Sequence, residues 1–127
     1  MRHLDKPLRL GVIGLGRAFT LMLPTFTLDP RIALAAATDA REEAVARFAS
    51  EFGARGYAST EDLCADPDIQ AVYVSSPHQF HVDHVKLAAA HRKHVLVEKP
   101  MALSIDECLA MIEAAKRANI HLLVGHS

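Results

Sequence analysis

The 127-residue sequence has no tryptophan, two cysteines and no excess of charge. Cys64 and Cys108 lie far apart and form no Cys-x-x-Cys pair, which argues against a disulfide framework and against a cysteine zinc site. Fourteen Lys and Arg residues against fifteen Asp and Glu residues leave a net charge of −1. Electrostatics therefore gives no reason to expect nucleic acid or a membrane surface as a partner, and a small molecule is the expected one.

Long apolar runs are also missing. Every run is interrupted well before the roughly 20 residues that span a bilayer, and the start of the chain lacks the apolar stretch of a secretory signal. These features predict a soluble cytoplasmic protein with reduced thiols. Half of the residues are hydrophobic, and no linker or repeat divides the sequence, so residues 1–127 are expected to form one domain.

The strands are predicted from short runs that are apolar nearly throughout, without period-two alternation. Such runs are typical of parallel strands covered on both faces. The predicted strands are residues 8–13, 32–38, 69–75, 94–97 and 121–124, with a weaker one at 56–58.

Helical patterns lie between these runs. Ser104 with Glu107 forms a capping box, and Asn119 is a plausible end of that helix. Pro24 should kink or shorten a buried helix, and Gly53 should end another in the left-handed conformation. The predicted helices are residues 17–28, 42–52, 60–65, 79–90 and 105–118. The alternation predicts an α/β fold, a three-layer Rossmann-type doubly wound parallel sheet of about six strands with helices on both faces.

A glycine-containing loop follows the first strand. Gly14 would let the chain turn after Ile13, and Gly16 would leave room for a pyrophosphate at the helix N-terminus. The backbone of Leu15 and Ala18 and the cation of Arg17 complete this candidate site. The third glycine of a G-x-G-x-x-G motif is replaced by Phe19, so either that ring points away from the sheet or the helix lies further from it. An ordinary βα turn without a ligand is the alternative.

Asp39 ends the second apolar run, near the usual spacing for a carboxylate that accepts hydrogen bonds from the adenosine ribose. A carboxylate there would repel a 2′-phosphate, which favours NAD. Arg41 could accept a 2′-phosphate, so NADP stays open. A capping role for Asp39 at a helix beginning near Ala40 is the competing interpretation, and the two are compatible.

Two later strands are followed by unusual polar residues. Ligands of open α/β sheets bind at the carboxyl ends of the strands. The first of these polar segments is residues 75–81, and the second is Glu98-Lys99-Pro100. A positioned Lys99 could hydrogen-bond a hydroxyl or carbonyl and relay a proton. A solvated charge pair beside a proline is the alternative.

Together these segments resemble the glucose-fructose oxidoreductase / inositol dehydrogenase / MocA-like oxidoreductases. That family has a G-x-G-x-x-G loop, a T-P-N-x-x-H-like segment and an E-K-P segment in this order. The resemblance implies NAD or NADP as cofactor, with contacts from Ser75, Ser76, Pro77 and His81. It also implies that Lys99, with Glu98, lies near the nicotinamide and the substrate carbon.

Some positions narrow the resemblance within the family and others depart from it. His78 stands where the family usually has Asn, and Phe19 where it has glycine. The segments 16–19 and 77–81 resemble those of dihydrodiol or dihydroxyphthalate dehydrogenases. The expected activity is hydride transfer between nicotinamide and a secondary alcohol carbon of a sugar, cyclitol or cyclic diol.

Family enzymes continue into a second domain that carries substrate groups and the usual dimer interface. The chain stops at residues 125–127, about where that domain would begin, so catalysis by these residues alone is doubtful and oligomerisation is expected of a full-length protein. The eight histidines show no metal-binding pattern, and no metal is expected. A non-catalytic nucleotide-sensing or interaction domain is the rival hypothesis. A response-regulator-like fold is disfavoured because the first strand end lacks acidic residues.

Overall fold

A computed structural model describes residues 6–102 and 104–125 of the chain. The strands are β1 (Leu8–Ile13), β2 (Ile32–Thr38), β3 (Arg55–Tyr57), β4 (Ala71–Val74), β5 (His94–Val97) and β6 (Leu122–Val124). The helices are α1 (Arg17–Leu28), α2 (Glu42–Phe52), α3 (Thr60–Cys64), α4 (His81–Ala90) and α5 (Ile105–Ala118). A 3₁₀ turn at His78–Phe80 precedes α4. Within these residues, no helix has both the length and the apolar character needed to cross a bilayer.

The six strands form one parallel sheet in the order β3-β2-β1-β4-β5-β6. The strand order therefore reverses between β1 and β4: β2 and β3 lie beyond β1 on one side, and β5 and β6 lie beyond β4 on the other. Connections from these two neighbours leave toward opposite sides, which opens a crevice at the carboxyl ends of the strands. The predicted doubly wound sheet is confirmed.

Helices cover both faces of the sheet, and a separate core lies under each layer. Under α1 and α2, Phe19, Phe26 and Phe48 pack against Val12 and Tyr73. The opposite core is formed by α3, α4 and α5 against the other face, with Leu63, Val85 and Met111 fully buried. Neighbouring strand residues alternate between the two cores because side chains along a strand point to opposite faces. This arrangement is the predicted three-layer architecture.

Helix caps follow the sequence signals. The Ser104 side chain accepts a hydrogen bond from the Glu107 amide at 3.1 Å, as the capping box predicts. Gly53 and Asn119 end α2 and α5 in the left-handed conformation, with φ of 60° and 59°. Each cap satisfies backbone groups that the helix itself leaves unpaired.

The prediction that α1 is a buried helix is wrong, since Leu21 is 63% exposed and Leu28 82% exposed. Of the two effects expected of Pro24, a kink or a shortening, the helix shows no shortening, because it is continuous from Arg17 to Leu28. Phe19 and Phe26 are seven residues apart and share one face, and both are buried against the sheet. Their burial holds the helix on the sheet despite the backbone hydrogen bond that proline removes.

The predicted burial of the last strand is also wrong. β6 lies at the edge of the sheet, where Leu123 is 63% exposed and Val124 43% exposed. An apolar run alone does not distinguish a strand covered on both faces from an edge strand. Five predicted elements also had imprecise bounds: β4, β6 and α3 are shorter than expected, β3 lies one residue earlier, and α4 begins only after the 3₁₀ turn.

A buried carboxylate joins β3 to the loop before β4. Asp66 Oδ2 accepts hydrogen bonds from Arg55 Nη1 at 2.7 Å and from the Tyr57 hydroxyl at 2.6 Å. Burial alone would raise the pKa of Asp66, but these hydrogen bonds outweigh it and hold that pKa at about 2. Lys93 Nζ donates to the Asp66 carbonyl oxygen at 2.7 Å, so the loop is fixed from both sides.

Asp66→Asn should lower the free energy of unfolding by about 2 kcal/mol near neutral pH, because hydrogen bonds to a buried charge are lost. A carboxyl with a lowered pKa in the folded state stabilises the fold above its ordinary pKa, and the effect is lost as pH falls through the folded value. The difference between the variant and the parent should therefore shrink between pH 4 and pH 2. Urea unfolding of both proteins across this range measures it, and a difference that is constant with pH would contradict the assignment.

Candidate active site

A cavity of about 830 Å³ lies at the carboxyl ends of the strands. It brings together the loop after β1, the end of β2, the loop after β4 and the end of β5. Eleven of the twelve predicted cofactor residues line it, and these are Gly14, Gly16, Arg17, Ala18, Asp39, Ser75, Ser76, Pro77, His81, Glu98 and Lys99. Leu15 is the exception, because its side chain packs on the core beneath α1 and α2.

Gly14 lies where two strand-end loops meet. Its φ of +99° belongs to a region that L side chains rarely adopt. A Cβ atom at this position would also lie 2.6 Å from the Ser76 amide nitrogen and 2.8 Å from the Ser75 carbonyl carbon. Ser75 Oγ donates to the Gly14 carbonyl oxygen at 2.7 Å, which ties the two loops together. Glycine is therefore required for the predicted turn and for the close approach of the second loop.

Gly16 is the N-cap of α1 and has a different role. No side chain caps this helix, and a Cβ atom at position 16 would meet no protein atom within 4 Å. The first-turn amides of an uncapped helix attract an anion, which the macrodipole also favours. Gly16 therefore borders open space that fits a phosphate group.

Phe19 does not obstruct this space. The ring is buried at 6% exposure and lies in the core beneath α1, with its centroid 5.7 Å from that of Phe48. It is absent from the cavity wall. The residue that replaces the third glycine therefore fills the hydrophobic core between α1, α2 and the sheet.

Asp39 faces the glycine loop. Its Oδ2 accepts the Leu15 amide hydrogen at 2.6 Å, and its Oδ1 accepts the Arg41 amide hydrogen at 2.8 Å. Burial raises the pKa of Asp39, but its hydrogen bonds with Arg41 and Leu15 outweigh burial and leave it below the usual value. Asp39 is not the helix cap that the sequence suggested, because α2 begins at Glu42 and its N-cap is Arg41, whose side chain makes no capping bond.

Arg41 lies over the same loop. Its Nε contacts Asp39 Oδ1 at 3.1 Å, and its Nη2 donates to the Leu15 carbonyl oxygen at 3.1 Å. The guanidinium is half-exposed and borders the cavity. A cation and a carboxylate thus lie together in the cavity wall at the end of β2.

His81 connects the loops that follow β4 and β5. The ring is 2% exposed; Nε2 lies 2.8 Å from the Ser76 carbonyl oxygen, and Nδ1 lies 3.0 Å from that of Pro100. The peptide bond between Lys99 and Pro100 is cis. Because both ring nitrogens face backbone carbonyls, His81 borders the cavity mainly as a connector of its two walls.

Glu98 and Lys99 differ in their surroundings. Glu98 is 5% exposed, and its Oε2 accepts a hydrogen bond from the Tyr73 hydroxyl. Its Oε1 is buried without a partner among the described residues. Lys99 is exposed and borders the cavity, and none of the salt bridges within the described ranges joins it to Glu98. The alternative interpretation of Glu98 and Lys99 as a solvated charge pair is therefore wrong for Glu98, which is buried.

Sequence reasoning missed two parts of the cavity wall. Residues 58–60 follow β3, whose carboxyl end adjoins that of β2, so the strand order would have indicated them. His84 belongs to α4, beyond the predicted segment 75–81, and its Nδ1 lies 2.8 Å from Ser76 Oγ. Burial and the neighbouring His81 lower the pKa of His84.

Metal ligands do not converge in the part of the chain described. No group of three or more His, Cys, Asp and Glu side chains there could hold an ion. His126 lies outside the described residues.

Comparison with known proteins gives a family match and several relatives that cover nearly the whole chain. The GFO_IDH_MocA profile, described as an oxidoreductase family with an NAD-binding Rossmann fold, matches residues 8–126. A 1-carboxy-3-chloro-3,4-dihydroxycyclohexa-1,5-diene dehydrogenase of Comamonas testosteroni is 47% identical over 121 residues, which are 94% of this chain and 30% of the relative.

Two solved structures share the fold. Scyllo-inositol dehydrogenase of Lactobacillus casei, with bound NAD(H) and scyllo-inositol, superposes with a TM-score of 0.86 at 27% identity, over 94% of this chain and 36% of that one. A 3-ketoreductase of Actinomadura kijaniata, in complex with NADP and TDP-benzene, gives a TM-score of 0.88 at 27% identity, over 94% and 37%. The chain thus spans about a third of the length of these relatives.

Proposed function

The chain belongs to the GFO_IDH_MocA oxidoreductase family, and from that membership and the cavity we propose that it binds NAD(H) for hydride transfer to or from a secondary alcohol carbon. The substrate that we propose is a sugar, a cyclitol or a cyclic diol. Relatives that act on a dihydroxycyclohexadiene and on scyllo-inositol support this class. The remaining substrate groups would come from a second domain, as in longer family members.

One observation carries the proposal. The glycine loop, Asp39 and Glu98-Lys99 line the same cavity although they follow three different strands. The open space at Gly16 fits a pyrophosphate at the N-terminus of α1, with Arg17 and Ala18 beside it. The unpartnered Glu98 oxygen follows β5 and fits a hydrogen-bond donor from the nicotinamide half.

The residues at the end of β5 would serve the chemistry. Bound nicotinamide supplies a carbon that accepts or gives a hydride. Lys99 would hydrogen-bond the substrate oxygen and hold or return its proton, and Glu98 would hold the nicotinamide half. Ser75, Ser76 and Pro77 would form the wall beside that half, and His81 would fix this wall to the cis-proline segment.

We propose NAD rather than NADP because Asp39 would face the adenosine ribose. Its carboxylate accepts hydrogen bonds from ribose hydroxyls and repels a 2′-phosphate. Wild-type protein should therefore bind NADH more tightly than NADPH. Asp39→Asn should weaken NADH binding about tenfold and reduce the discrimination against NADPH, because the repelling charge is removed while Arg41 remains.

Isothermal titration of both proteins with NADH and NADPH tests this assignment. Asp29→Asn is the matched control, since Asp29 is also paired with an arginine two residues on but lies outside the cavity. Equal affinity of the wild type for both dinucleotides would show that Asp39 does not discriminate between the two riboses. An unchanged preference for NADH over NADPH in Asp39→Asn would show the same.

We also propose that the protein is located in the cytoplasm. The two cysteines are free, which suits that reducing compartment. The partner that we propose is a small-molecule substrate. We also propose that a full-length protein forms oligomers.

A further inference from the structure

Glu98 has one carboxyl oxygen for which the described protein offers no partner. The side chain is 5% exposed, and Oε1 is shielded from solvent and accepts no hydrogen bond. A buried acceptor left unsatisfied costs about 1–3 kcal/mol, and a charged one costs more. Since Glu98 also lines the cavity, a donor on a bound ligand is the partner that would relieve this cost.

Tyr73 determines which oxygen remains available. This residue of β4 is fully buried, and its hydroxyl donates to Glu98 Oε2 and lies 3.5 Å from the Ala18 carbonyl oxygen, at the limit of a hydrogen bond. Its ring is fixed edge-on against Phe26, with centroids 5.2 Å apart. Burial, followed by the Glu98 carboxylate, raises the pKa of Tyr73. The phenol therefore stays protonated and remains the donor.

Other groups near Glu98 do not replace this contact. Lys99 follows in the chain, but no salt bridge joins it to Glu98 within residues 6–102 and 104–125. A Cβ atom at Gly125 would lie 3.6 Å from Oε2, so the β6 end approaches Glu98 on the side already held by Tyr73. The Tyr73 hydroxyl is thus the donor that orients the carboxylate.

We propose that Tyr73 is a positioning residue that holds Glu98 Oε2, so that Oε1 accepts a hydrogen bond from the nicotinamide half of the dinucleotide. The ligand donor is the carboxamide N–H or a hydroxyl of the adjoining ribose. This inference rests on the proposed function. It assigns a role to a residue deep in the sheet that no sequence motif indicates.

Tyr73→Phe removes one oxygen atom and keeps the ring in the core. We expect the affinity for NADH to fall about tenfold, because Glu98 is no longer oriented. Affinity for ADP should change less than about twofold, since ADP lacks the nicotinamide half and makes no contact with Glu98. In a Glu98→Ala background, the same Tyr73 substitution should have no further effect on NADH binding.

The chain offers a matched control in its other tyrosine. The Tyr57 hydroxyl also donates to a buried carboxylate, that of Asp66, and Tyr57 lies outside the cavity. Tyr57→Phe should lose stability in urea unfolding yet bind NADH and ADP as the wild type does. 3-Acetylpyridine adenine dinucleotide, which lacks the carboxamide N–H, distinguishes the two ligand donors. Its affinity should be insensitive to Tyr73→Phe if the donor is the carboxamide, and sensitive if it is the ribose.

Calorimetric titration of the 127-residue chain and its variants decides the matter. Unchanged NADH affinity in Tyr73→Phe would overturn the inference, as would an equal loss for NADH and ADP, which indicates a general packing role. If the wild type binds neither ligand, the proposed function itself fails and this inference fails with it. Wild-type binding of both ligands separates that outcome from failure of the Tyr73 assignment alone.

Discussion

Replacing Gly16 by glutamate is expected to weaken NADH binding by at least about 100-fold while the fold survives, because like charges brought together cost several kcal/mol. The protein leaves open space at this position, where a Cβ atom would meet nothing within 4 Å. The backbone there has φ of −88°, which side chains tolerate. A carboxylate would therefore enter the volume assigned to the pyrophosphate and oppose it.

Thr20→Glu is the control for this substitution. Thr20 is exposed on α1 one turn after Gly16 and lies outside the cavity wall, so the variant adds the same charge to the same helix. It should bind NADH nearly as well as the wild type, and both variants should unfold at similar urea concentrations. Normal NADH affinity in Gly16→Glu would mean that the phosphates do not lie at this helix terminus.

Substitution of Lys99 should have the other large effect. In a full-length protein that contains this domain, Lys99→Ala should reduce kcat for a cyclic secondary alcohol by about 10² to 10⁴, the usual contribution of a positioned acid or base. NADH affinity should change little, since Lys99 is assigned to the substrate oxygen. Steady-state turnover with calorimetric NADH binding measures both quantities.

Lys86→Ala provides the comparison, because Lys86 is an exposed lysine of α4 outside the cavity. Its kcat should equal that of the wild type. A Lys99→Ala enzyme with unaltered kcat would remove the catalytic role of the lysine. A wild-type protein that binds NADH but turns over no alcohol would favour the rival hypothesis of a nucleotide-sensing domain.

The sequence predicted the elements that local chemistry determines. β1, β2, β5, α1, α2 and α5 have the expected bounds, because apolar runs, a capping box and a left-handed glycine are local signals. Burial depended on the position of each element in the sheet. The apolar residues of β6 resemble those of β5, yet β6 lies at the edge and β5 between two strands.

The residues of the candidate site also divide into those that local sequence signals indicate and those that depend on the tertiary structure. Gly14, Gly16 and Asp39 could be found from spacing, because a phosphate loop and a ribose carboxylate lie at fixed distances along a βαβ unit. Tyr73 could not, since it reads as an ordinary apolar position of a buried strand until Glu98 is placed beside it. The contact of Gly14 with Ser76 likewise depends on two loops that are distant in sequence.

The central claim is that the cavity at the strand ends holds the dinucleotide. Titration of the isotope-labelled chain with NAD⁺, followed by amide NMR shifts, tests it most directly. We predict saturable one-to-one shifts at Gly14, Gly16, Arg17, Asp39 and Lys99, with little change around Asp66. Absence of shifts at millimolar NAD⁺, or shifts confined to the region of Asp66, would contradict it.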